Sequence, residues 1–126
     1  MKSLKYSILR RFYHPGRPIY DQPHFKNHVD KVAIHDNLGI HSYNDLQIGS
    51  DKISSALSKI LKSKKSNVAF LTQNNHHFTL AQLGIWKSGF ACVPLCKSHP
   101  PDTLKYYVDD SEASALIGEA INIISS

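Results

Sequence analysis

Three short apolar runs, at residues 67–72, 90–95 and 113–117, are separated by two stretches of helical spacing. This alternation constrains the fold more than any other feature of the chain. A continuous apolar run suits a strand buried on both faces, as in a parallel sheet. Strands that alternate with helices at such intervals are joined by right-handed parallel crossovers. The first intervening stretch, from His76 to Ser88, repeats apolar groups through Phe78, Ala81, Leu83 and Ile85 and stops at Gly89. The second opens at His99-Pro-Pro-Asp102, with prolines where a first helical turn tolerates them, and sets Leu104, Tyr107 and Val108 on one face. Residues 119–124 are expected to begin a further helix.

Upstream, Lys31-Val-Ala-Ile-His35 and Ile40-His-Ser-Tyr43 flank the turn residues Asp36-Asn-Leu-Gly39, so residues 31–43 read as a hairpin. Ser42 stands three residues before Asp45, the spacing of a capping box. Leu46, Ile53, Leu57 and Ile60 follow at helical spacing, with Gly49, Ser50 and Ala56 in the same stripe. They predict an amphipathic helix over 44–62 whose small residues permit close packing. Lys62-Ser-Lys-Lys-Ser66 closes it with cations that complement the helix dipole and reads as a solvated turn. The body is α/β: an N-terminal hairpin followed by β-α-β-α-β parallel units.

The 15 Lys+Arg and 10 Asp+Glu are unevenly spread. Lys2, Lys5, Arg10, Arg11 and Arg17 all precede the first acid, Asp21, and without these five the remaining bases and acids balance at ten each. The basicity belongs to a tail, and the body lacks the clustered cations of a nucleic-acid footprint. The tail, MKSLKYSILRRFYH, is acid-free and places Leu4, Ile8 and Phe12 at fourfold spacing. Two arginines interrupt any secretory apolar core, and the composition is that of a mitochondrial transit peptide. Residues 14–23 carry three prolines and a glycine and read as an extended linker. Residues 1–24 are thus expected to be a leader and linker, and residues 25–126 the folded part, with a matrix address and the cytoplasm as the alternative.

Residues 66–86 hold no Asp, Glu, Lys or Arg, yet their asparagine, glutamine, threonine and histidine side chains would be costly in hydrocarbon, so no membrane span is expected. Cys92 and Cys96 lie four apart across Pro94, without a second Cys/His pair at zinc-finger spacing, and read as free thiols. No glycine-rich dinucleotide loop, phosphate loop of the G-x-x-x-x-G-K-[ST] type or G-x-S-x-G elbow occurs. His76 and His77 are adjacent and diverge on a helix, whereas two metal ligands would stand three or four apart. Asp109, Asp110 and Glu112 read as a solvated acidic surface, and Trp86 as a core residue. No catalytic, cofactor-binding or metal residue is assigned.

Seven phrases occur in a telling order: Val32-Ala-Ile34, Ser42-Tyr-Asn-Asp-Leu46, Val68-Ala-Phe-Leu71, Gln73-Asn74, Gly84-Ile-Trp-Lys-Ser-Gly89, Cys92-Val-Pro-Leu95 and Leu104-Lys-Tyr-Tyr-Val-Asp-Asp-Ser111. In this series the chain resembles the opening part of the large domain of adenylate-forming acyl-CoA synthetases. Lys97-Ser-His-Pro100 and residues 43–46 lean toward members that activate malonate or a related short acid. The resemblance implies a two-step reaction: ATP and a carboxylate give an acyl-adenylate, and CoA then displaces AMP. It implies ATP, Mg2+ and CoA for a full-length parent. The phosphate loop, magnesium-holding glutamate, ribose-binding aspartate and C-terminal lysine of that chemistry are absent from these residues. The expectation is therefore an inactive opening portion that binds no cofactor itself and associates through an incomplete sheet. The alternatives are a non-enzymatic α/β interaction module and a piece of another adenylate-forming ligase, such as an amino-acid-activating domain.

Overall fold

The computed structural model describes residues 18–21, 23–63, 65–118 and 123–125. A 3-10 turn, Ile19–Asp21, is followed by α1 (Pro23–Asn27), β1 (Val32–Asp36), β2 (Gly39–Ser42), α2 (Tyr43–Ile60), β3 (Asn67–Phe70), α3 (His76–Lys87), β4 (Ala91–Pro94), α4 (Pro101–Asp110), β5 (Ala113–Ile117) and β6 (Ile123–Ser125). β1 and β2 form an antiparallel hairpin. The main sheet has the order β4-β3-β5-β6, with β3 parallel to both neighbours and β6 antiparallel to β5. The expected α/β fold with parallel β-α-β-α-β units is present.

The apolar run of β3 is explained by this order. Val68, Ala69 and Phe70 have no exposed surface, because strands flank β3 on both edges and side chains cover both faces. Phe70 meets Phe78 of α3 edge to face at 4.9 Å. Leu57, Ile85 and Ile117 complete the fully buried core.

α2 starts where the capping-box spacing places it. The Ser42 amide donates to Asp45 Oδ2 (2.7 Å), and the Asp45 amide donates to Ser42 Oγ (3.1 Å). The buried stripe runs Leu46, Ser50, Ile53 and Leu57. It continues to Leu61, which packs against the core, while the expected Ile60 is 40% exposed. Steps of four and three residues lead from 57 to 61 or 60, and the helix end turns the latter to solvent. Ser50 is wholly buried and satisfies its hydroxyl on the Leu46 carbonyl at 2.6 Å.

The α2–α3 contact is close because Gly84 has no side chain. A Cβ there would lie 2.5 Å from Ile53 Cγ2 and 2.6 Å from Ile53 Cβ. α3 begins at Asn75, whose side chain accepts from the His77 amide (3.0 Å), and ends at Gly89 with φ +80°. Lys87 is held at its end by Gln47 Oε1 and Asp51 Oδ1, each at 2.7 Å.

One expectation falls mostly outside the described residues, and two features besides Ile60 differ from the sequence reading. The basic leader expected over residues 1–24 falls largely outside the described residues, but Ile19–Asp21 within it forms a turn, and the Tyr20 hydroxyl donates to the Trp86 carbonyl at 3.4 Å. On α4, Leu104 and Val108 are half-buried, whereas Tyr107 faces outward at 38% exposure. Residues 123–125 form a strand instead of continuing the helix expected over 119–124, whose residues 119–122 are outside the described set. Ile123 and Ile124 are β-branched, and this residue type favours a strand over a helix. Among the described residues, no helix is long and apolar enough to cross a membrane.

Two predictions follow from the packing and the cap. Gly84→Ala should lower stability by about 1–2 kcal/mol, overpacking outweighing the helix-propensity gain of alanine. Gly49→Ala should cost clearly less, because its Cβ meets only the end of the Leu80 side chain (Cδ2 2.7 Å, Cδ1 3.1 Å, Cγ 3.5 Å), which can rotate, whereas at Gly84 it meets the branch point of Ile53 and backbone. Equal shifts of the urea midpoint would contradict the close α2–α3 contact. The second concerns Asp45. Donation from the Ser42 amide and hydroxyl, against a smaller opposing effect of burial, holds its carboxyl below the ordinary range, and His41 and His76 add to this. The cap's contribution is therefore complete above about pH 4 and is lost as pH falls below that. In Asp45→Asn, the fall of the thermal midpoint between about pH 5 and pH 2 should be shallower than in the unmodified chain.

Candidate functional site

Parallel strands place all their C-terminal ends at one edge of the sheet, where open α/β folds present their ligand sites. Here β3 and β4 end side by side at Phe70 and Pro94, locked by the Leu95 amide donating to the Phe70 carbonyl at 2.9 Å. The segments that follow enclose a cleft of about 500 Å³, lined by Thr72, Phe78, Pro94, Leu95, Cys96 and Lys97 among others. The Thr72 hydroxyl is buried without a hydrogen-bond partner among the described residues. Such a group is costly unless a ligand, water or further chain satisfies it. Cys96 is exposed, and the hydroxyl and amide of Ser98 hold its thiol below the ordinary range, outweighing burial; Sγ and Ser98 Oγ are 2.9 Å apart. Cys92 is also a free thiol, half-buried against the core.

This cleft does not fit a nucleotide triphosphate. Residues 71–75 contain no glycine for close backbone approach, and Lys97 is the cation in its lining. It is an apolar recess with one unsatisfied hydroxyl, suited to an uncharged ligand portion or to further protein.

A second cluster forms where the hairpin meets the start of α3. Asp36, the last residue of β1, turns its carboxylate inward. Oδ1 accepts from the Leu38 amide (2.8 Å) and faces His41 Nε2 (3.1 Å). Oδ2 accepts from the His76 amide (2.7 Å) and faces His76 Nδ1 (2.9 Å). The two imidazoles stack with centroids 3.6 Å apart and planes 20° from parallel. Burial alone would raise the Asp36 carboxyl, but hydrogen bonds from the His76 amide and ring, the Leu38 amide and the His41 ring outweigh it and hold the group well below the usual carboxylate range.

The sequence reading separated these residues. By sequence Asp36 is turn chemistry, and the one histidine beside His76 is His77. The structure pairs His76 with a carboxylate forty positions away and with His41 across the hairpin. The only sequence signal was a lone Asp at the head of a hairpin turn with histidines elsewhere, which has no characteristic spacing. The acidic residues Asp109, Asp110 and Glu112 are exposed, and Asp109 pairs with Lys105 one turn earlier. Trp86 is half-buried against the core.

A family model described as AMP-binding enzyme matches residues 22–125. The chain is 38% identical over 95 residues to the mitochondrial malonate–CoA ligase ACSF3 of Xenopus laevis, an alignment covering 71% of this chain and 16% of that protein. It is 33% identical over 96 residues to the nonribosomal peptide synthetase ivoA of Emericella nidulans, covering 71% of this chain and 6% of the relative. The fold matches a benzoate CoA ligase from Burkholderia xenovorans LB400 with a TM-score of 0.70 at 22% identity, over 77% of this chain and 21% of that one. The chain thus spans a small part of the length of the proteins it matches.

The shared carboxylate predicts a paired response. In Asp36→Ala, amide hydrogen exchange at Leu38 and His76 should accelerate together, by about tenfold or more. Exchange at Leu71, whose amide donates to the Ile117 carbonyl on the far side of β3, should not change. A response at Leu38 alone would mean that the hairpin is not anchored to α3 through this group.

Proposed function

The chain belongs to the AMP-binding enzyme family, and from that premise we propose that it is the scaffold-forming opening part of an ATP-dependent acid–CoA ligase. The ligase activates malonate or a related short acid as an acyl-adenylate, uses Mg2+ with ATP, and passes the acyl group to CoA. The observation that carries the reading is the match over residues 22–125, supported by the likeness to the Xenopus malonate–CoA ligase. The chemistry of the residues supports a scaffold role: the cleft at the sheet edge is lined mainly by apolar and uncharged groups. The role of this stretch is to build one face of the large domain and to offer its strand ends to the remainder. Residues 1–24 act as a leader to the mitochondrial matrix, a reading supported by their basic, acid-free start and by the mitochondrial designation of the Xenopus relative.

One set of assays tests this. The longer protein that carries this sequence should catalyse malonate-dependent exchange of pyrophosphate into ATP, and the 126-residue chain alone should not. Exchange by the short chain would overturn the scaffold role. Exchange with an amino acid but not with malonate would favour the amino-acid-activating alternative, which the likeness to ivoA supports. The same protein, tagged at its C-terminus, should enter mitochondria and lose that address when residues 1–24 are removed.

A further inference from the structure

We propose that Asp36, His41 and His76 form a binding site for a single divalent transition-metal ion of the Zn2+, Co2+ or Ni2+ type, tying the hairpin to the start of α3. The proposal is independent of the acyl-adenylate reading, since it rests on these side chains alone. One carboxylate oxygen, one Nε2 and one Nδ1, from β1, β2 and α3, lie within 4.8 Å of one another. The side chains are only 9%, 18% and 14% exposed. They are held in a recess that shields most of their surface.

The arrangement has what a metal requires beyond proximity. The stacked rings present nitrogen-bearing edges to the same carboxylate, so both can reach one ion beside it. Zinc binds imidazole nitrogen and carboxylate oxygen at about 2.0–2.2 Å, so ligand atoms around one ion stand roughly 3–4 Å apart, a spacing that small side-chain rotations reach from three atoms already within 4.8 Å of one another. Metal-bound carboxylates are normally oriented by further hydrogen bonds. Here the backbone amides of Leu38 and His76 already do this, one on each oxygen. Each oxygen has a second lone pair to offer. On binding, the ring contacts to Asp36 give way to nitrogen–metal bonds while the two amide contacts persist. Two imidazoles and one carboxylate leave a position for water and suit Zn2+, Co2+ or Ni2+. They do not suit Mg2+ or Ca2+, which prefer all-oxygen shells.

The test uses the full chain titrated with Co2+ and then Zn2+. We expect about one equivalent of Co2+ to bind with the visible absorption of a nitrogen- and oxygen-ligated ion, Zn2+ to displace it, and Zn2+ to raise the thermal midpoint. His41→Ala and His76→Ala should each weaken Zn2+ binding by at least about tenfold, since even partners one shell further out have effects of that size. His35→Ala, which alters an exposed histidine of the same hairpin, should leave it unchanged. Because the alanine variants could perturb folding, histidine ring resonances of the unmodified chain supply a second readout. Zn2+ should shift those of His41 and His76 selectively. No stoichiometric uptake by the folded chain, uptake that survives both substitutions, or shifts centred on other histidines would each overturn the site.

Discussion

The structure depends on giving β3 no exposed side. A four-residue strand contributes few backbone hydrogen bonds, so its stability comes from being enclosed: β4 and β5 on its edges, α2 and α3 over one face. That enclosure requires α2 and α3 to approach closely, and the approach is possible because Gly84 presents bare backbone to Ile53 and Ser50. The wholly buried Ser50 belongs to the same constraint. A larger apolar residue would not fit under α3, and its hydroxyl is tolerated because the helix's own carbonyls accept from it. The helix pair, the central strand and the register of the sheet form one packing unit.

The two faces of the sheet are unequally covered, and this follows from the topology. A right-handed crossover from β3 to β4 and another from β4 back across to β5 run in opposite directions and so deliver α3 and α4 to opposite faces. The α3 face is completed by α2. α4 contributes only half-buried groups and no buried residue. Large apolar side chains remain exposed at Tyr106 on α4 and at Val32 and Ile40 on the hairpin. Exposed apolar groups of this size are surfaces suited to contact with further protein.

The legible part of the fold was the part written in local periodicity. The apolar run at 67–70, the capping pair Ser42 and Asp45, the helix stop at Gly89 and the prolines opening α4 each reflect a physical demand satisfied within a few residues. Ile60, Tyr107 and the strand at 123–125 misled for a shared reason. In each the helical or apolar pattern is present in sequence, but its outcome depends on what packs against it: the core wall takes Leu61 instead of Ile60, no described element buries the Tyr107 side of α4, and the β5 edge takes β6. The histidine–aspartate cluster was illegible for a stronger version of that reason. Its donors come from two strands and a helix start forty residues away, and only the docking of the hairpin against α3 brings them together.

A scaffold role of this kind determines how substitutions here would act on a ligase. The α2–α3 contact and β3 lie in the buried core, so changes there act by lowering the folded fraction. The signature is reduced abundance with unaltered kinetics in the surviving molecules, because a loss of one or two kcal/mol in a marginally stable domain shifts its steady-state level several-fold. The strand ends are the exception. Thr72 and the segment from Leu95 to Ser98 border the cleft, and a substitution there can leave the core intact while changing what that edge of the sheet receives. The same chain therefore separates into a buried half, read through stability, and one edge, read through binding.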